Sequence, residues 1–131
     1  MAYQILVVDD SAVVRTVIKK VLALTDLTIG QIFEASNGAM ALEVLDKNWI
    51  DLVFADLHMP IMSGIEMIDQ MSKDGLLSSI PVIIVSSEGS ETRIEEMRQK
   101  GVRAYVQKPF TPESIREAIQ IVMKGRDEDE K

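Results

Sequence analysis

The 131-residue sequence contains no cysteine. That excludes disulfides and thiolate metal centres. It contains one histidine, His58, and a lone histidine without cysteine excludes an ordinary structural zinc site. Basic residues are outnumbered, 14 Lys and Arg against 21 Asp and Glu, and the formal net charge is -7. A chain of that sign does not hold nucleic acid by bulk phosphate contacts, so no nucleic-acid partner is expected. Long apolar runs are missing as well. A membrane-spanning helix needs about 20 such residues in a row. The start, MAYQILVVDD, reaches two acids before the apolar region of a signal peptide could form. The expectation is a soluble, cytoplasmic chain without a membrane partner.

What is present is globular in kind: 47% hydrophobic and 27% charged residues. The length suits one domain with a single core. Four short runs are rich in β-branched residues: Ile5–Val8, Leu52–Phe54, Val82–Val85 and Ala104–Val106. They are continuous rather than alternating, which predicts strands covered on both faces. A weaker strand fits Gln31–Ala35, near an edge. Helical periodicity lies between the runs. Val13, Val14, Val17, Ile18, Val21 and Leu22 form one apolar stripe, and Ala39, Leu42 and Leu45 a second. Ile65, Ile68 and Met71 form a third. Ile94 and Met97 form a thin fourth on a polar helix, and Ile115, Ile119 and Val122 a fifth. Thr111 is the expected N-cap of that last helix, with Pro112 at its first position. Strand and helix alternate five times, which predicts a parallel α/β sheet with helices on both faces. Residues 1–124 are expected to form the domain, and the charged residues 125–131 a solvated, disordered tail.

Ligands of such sheets bind beyond the carboxyl ends of the strands. Asp9 and Asp10 follow the first run, Asp56 the third, Ser86 and Ser87 the fourth, and Lys108 the last. Taken singly, each has a plain reading. Asp9 or Asp10 could cap a helix, Ser86 could cap or turn, and Lys108 could simply be solvated. As a set, three carboxylates repel one another and need a cation. Lys108 supplies one charge, and a hard divalent ion such as Mg2+ would supply two. Both Asp9 and Asp10 can face the site only if the first strand ends near Val8.

The motifs LVVDDS, FADLHMPIMSG, VSSEG and YVQKPF, in this order and after these strands, resemble the receiver domain of response regulators, in particular the stand-alone chemotaxis type. The resemblance covers roughly Gln4 to Lys124 and implies a flavodoxin-like sheet of order 2-1-3-4-5. It implies that Asp56 accepts a phosphoryl group from a sensor histidine kinase or a histidine phosphotransfer protein. Asp9, Asp10, Asp56 and the backbone carbonyl of His58 would bind magnesium. Lys108 and Ser86 would contact the phosphoryl oxygens, and similar domains hold the Lys-Pro peptide cis. Tyr105 would turn inward as a switch. The surface of the fourth helix, fifth strand and fifth helix would then be read by a downstream protein. A monomer is expected, acting in chemotaxis-like signalling or a phosphorelay. The residues depart from the usual pattern at Ser86, where Thr is common, and at His58. Two other readings compete. One is a magnesium-dependent phosphatase with an aspartyl nucleophile, of the haloacid dehalogenase type. That class wants a general acid where His58 stands. The other is a pseudo-receiver that is never phosphorylated, although all its acids and the lysine are in place.

Overall fold

The computed structural model describes residues 2–129, and only the backbone of residues 124–129. Five strands alternate with helices. They are β1 (Tyr3–Val8), β2 (Ile29–Ala35), β3 (Leu52–Ala55), β4 (Val82–Ser86) and β5 (Ala104–Gln107). The helices are α1 (Ala12–Ala23), α2 (Gly38–Lys47), α3 (Gly64–Ser72), α4 (Glu91–Gln99) and α5 (Pro112–Asp129), with a single 3-10 turn at Leu77–Ser79. The strands form one parallel sheet in the order β2-β1-β3-β4-β5. That is the order the resemblance implied, with the weak strand β2 at an edge.

The unbroken apolar runs reflect burial on both faces. Ile5 and Val7 face one core layer and Leu6 and Val8 the other, as pleating requires. The first layer adds Leu52, Phe54, Ile83 and Val85 and is sealed by Ile18 and Leu22 of α1 and by Ile115 and Ile119 of α5. The second adds Val53, Ala55 and Ile84 beneath Leu45 of α2, Met67 and Met71 of α3 and Met97 of α4.

Each helix start has a side-chain cap for the N–H groups a first turn leaves unpaired. Ser11 accepts from the Val14 amide, Asn37 from Met40 and Ser90 from Arg93. Ser63 and Glu66 form a reciprocal capping box. Thr111 caps α5 as expected, its Oγ1 accepting from the Ser114 amide at 3.1 Å.

One expectation needs correction. The apolar stripe of α1 is split: Ile18, Val21 and Leu22 are buried, but Val13 is 73% and Val17 40% exposed. The helix has more apolar residues than the sheet has room to cover. α5 continues as helix to Asp129, past the point where the charged residues begin. A single glycine costs a helix only about 1 kcal/mol, and Arg and Glu after it are good helix formers. Residues 130 and 131 lie outside the described residues.

Candidate functional site

β1 ends at Val8, so Asp9 and Asp10 open the loop into α1 and both reach the rim of the sheet. Asp9 is buried and Asp10 exposed. β3 ends at Ala55 and delivers Asp56 beside them. One oxygen from each of Asp9, Asp10 and Asp56 lies within 4.8 Å of the others.

Lys108 offsets part of this negative charge. Its ammonium donates to Asp9 Oδ2 at 3.0 Å and to Asp56 Oδ2 at 3.1 Å. The second oxygens are held by main chain. Asp9 Oδ1 accepts from the Ser11 amide at 2.9 Å, and Asp56 Oδ1 from the Leu57 amide at 2.7 Å. The Lys108 amide donates to the Ser86 carbonyl at 2.8 Å, and the Lys108–Pro109 peptide is cis, as the resemblance implied.

Burial pushes the Asp9 carboxyl above its ordinary value, against the Ser11 amide and Lys108, which pull it down. Burial lowers the Lys108 ammonium, but its bonds to Asp9 and Asp56 outweigh that and hold it above the usual lysine value. The shift on Lys108 favours its charged form, whereas that on Asp9 disfavours its own. The three carboxylates offer only oxygen donors, and Asp10 is open to solvent. That set fits a hard, partly hydrated cation such as magnesium.

Ser86 closes the far side of the rim. It is fully buried, and its hydroxyl accepts from the Glu88 amide at 3.3 Å. Tyr105 is half-buried, and its hydroxyl already donates to the Glu88 carbonyl at 2.7 Å. Burial raises the Tyr105 phenol above its ordinary value, with the Ser86 hydroxyl pulling the other way. His58 does not simply project into water. Its Nε2 meets the Glu88 carboxylate at 3.1 Å across the mouth of the site.

Tight packing holds the Asp56 loop. The Gly64 amide donates to the Leu57 carbonyl at 2.9 Å, and any Cβ on Gly64 would collide with the Asp56 carbonyl. Glycine is therefore required at the start of α3. Ile61, at φ 67°, is a branched residue in the left-handed region, a strained conformation beside the site.

The structure thus brings together Asp9, Asp10, Asp56, Lys108, Ser86 and Tyr105, all singled out in the sequence. Two residues were missed. Arg15 donates to the Asp9 carbonyl from α1 while its Nε pairs with Glu34 of β2 at 3.0 Å. Glu88 meets His58 and Tyr105. Its place two residues beyond Ser86 was the available signal.

Comparison with known proteins agrees with this fold. The family model described as the response regulator receiver domain matches residues 5–120. The chain belongs to the response regulator receiver domain family. Among similar receiver proteins, the chemotaxis protein CheY of Pseudomonas aeruginosa is 37% identical over 117 residues, covering 89% of this chain and 93% of its own. Chemotaxis protein CheY1 of Helicobacter pylori is 33% identical over 125 residues, covering 95% and 99%. The structure of Vibrio cholerae CheY4 superposes with a TM-score of 0.83 at 26% identity, covering 93% of this chain and 99% of that one. A CheY-like receiver from Methanospirillum hungatei shares the fold at TM-score 0.85 and 22% identity, covering 98% and 99%. Receiver domains are signalling phosphoacceptors rather than enzymes with an external substrate. They work between histidine kinases and downstream targets. Among the described residues no helix is long and apolar enough to cross a membrane.

Proposed function

We propose that Asp56 accepts a phosphoryl group from the phosphohistidine of a sensor kinase or histidine phosphotransfer protein. The proposed receiver unit is residues 1–124, from which the backbone of α5 continues to Asp129. The observation that carries the reading is the Lys108 ammonium bridging Asp9 and Asp56 at 3.0 and 3.1 Å, with Asp10 alongside. In the transfer, the P–N bond to the partner's imidazole breaks and a P–O bond to the Asp56 carboxylate forms. The partner's imidazole leaves as the neutral base after taking up a proton.

Phosphoryl transfer asks chiefly for positioning and charge neutralisation. The Leu57 amide fixes one oxygen of Asp56, which leaves the other directed toward Lys108. Asp9, Asp10, Asp56 and the His58 backbone carbonyl would hold magnesium, which when bound neutralises charge on the phosphoryl oxygens. Lys108 then follows the new anion, and the Ser86 hydroxyl hydrogen-bonds to it. Because the Tyr105 hydroxyl already rests on the Glu88 carbonyl, phosphorylation stabilises the inward ring rather than creating it. The surface of α4, β5 and α5 is what a downstream protein reads.

The test is incubation with acetyl phosphate and magnesium, followed by intact mass and peptide mapping. Wild type should gain one phosphoryl group at Asp56, and Asp56→Asn none. Phosphate on a serine or threonine, or none on the wild type, would overturn the reading.

A further inference from the structure

Four contacts converge on Glu88, in the loop between β4 and α4. Two use its main chain, where the N–H donates to Ser86 Oγ at 3.3 Å and the carbonyl accepts from Tyr105 at 2.7 Å. Two use its carboxylate, which meets His58 Nε2 at 3.1 Å and Arg93 Nε at 3.3 Å. Arg93 lies in the first turns of α4 and also reaches Glu96 at 3.0 Å. His58 stands two residues past Asp56. The Glu88 side chain therefore joins the loop that carries Asp56 to the start of α4. Its main chain joins the same point to β4 and β5.

The polar links matter because α4 has little else. Met97 is its one buried residue. An element with so small a core contribution is set in place by the contacts at its ends.

We infer that the Glu88 carboxylate is a positioning residue for α4, coupling the state of Asp56 to this helix through His58 and Arg93, on a route separate from Ser86 and Tyr105. The inference rests on Asp56 being the phosphoacceptor. A phosphoryl group brings a charge of about -1.5 to -2 at neutral pH. Beside the mouth of the site it repels the Glu88 carboxylate and competes with it for His58. Drawn to the phosphoryl group, His58 releases Glu88, which keeps Arg93 alone. The start of α4 is then uncoupled from the Asp56 loop. The two states differ in which anion His58 meets, and that differential contact is what a shift of populations requires.

The test separates main-chain from side-chain contacts. Glu88→Gln removes the charge and leaves the Glu88 backbone free to bond Ser86 and Tyr105. Amide spectra of wild type, Glu88→Gln, His58→Asn and the double variant are compared with and without magnesium and beryllofluoride, a phosphoryl mimic. The Ser86 amide reports occupancy at Asp56, and the amides of residues 91–96 report on α4. Ser86 should shift in all four proteins, while the response of residues 91–96 should shrink severalfold in each single variant. The double variant should lose no more than either single one, since both act on one path. A wild-type response of residues 91–96 in the single variants, or additive losses in the double, would overturn the inference and leave the phosphoacceptor reading intact. No Ser86 shift in the wild type would overturn that reading instead.

Discussion

Helices α4 and α5 lie on opposite faces of the sheet, and they are held in different ways. α5 buries Ile115, Ala118, Ile119 and Val122 against the core. α4 buries Met97, and its remaining ties are polar: Glu88–Arg93 near its start and Lys100–Asp69, at 2.8 Å, just past its end. Apolar burial is non-directional and changes only when a helix leaves. Ion pairs depend on charge and distance, so a new charge nearby can re-set them. The difference teaches which helix anchors the fold and which can respond to chemistry at Asp56. The sequence already sets them apart, with a thin apolar stripe on α4 and a fuller one on α5. What separates them is how much apolar surface each contributes.

The comparison can be broken most forcefully at its apolar end. Ile115→Ala should cost about 2–5 kcal/mol of global stability, as large-to-small core changes do. Met97→Ala should instead appear first as faster amide exchange across α4, with a smaller fall in melting temperature. Equal falls in melting temperature for the two variants would contradict the contrast.

The next effect belongs to the rim. Bound among Asp9, Asp10 and Asp56, magnesium would relieve their repulsion and should raise stability by about 2.7 kcal/mol at 100 times its dissociation constant. Asp10→Ala removes the exposed member of the set and should abolish that gain. A magnesium-dependent melting shift unchanged in Asp10→Ala would rule out these ligands.

The smallest effect sharpens the polar end. Lys100→Ala breaks the pair to Asp69, with side chains 30% and 46% exposed. Exposed pairs contribute about 0.2–1 kcal/mol, so melting should barely move. Exchange at the C-terminal turn of α4 should nonetheless quicken. Loss of protection spread evenly over the sheet would show that α4 is not a separate unit.

Much of this was legible in the chain. The strand runs Ile5–Val8 and Val82–Val85 were visible because continuous β-branched segments are a local signal of strands buried on both faces. The rim residues Asp9, Asp56 and Lys108 were visible because each follows such a run. The split stripe of α1 was not, because Val13 and Ile18 look alike until the width of the sheet beneath them is known. The roles of His58 and Glu88 were hidden for a related reason. They lie 30 residues apart on separate loops, and no periodicity links them.

The sequence by itself determined the alternation of strands and helices, the parallel sheet it builds and the acids, hydroxyl and ammonium at its rim. Those follow from periodicity and from what stands at the end of each run, which are short-range properties of a chain. Only the tertiary structure decided that Lys108 bridges Asp9 to Asp56, that Tyr105 already rests on the Glu88 carbonyl, and that Glu88 joins His58 to Arg93. Hydrogen bonds and ion pairs act over about 3 Å, so their partners are settled by how loops meet in space, which the spacing of residues along the chain does not state.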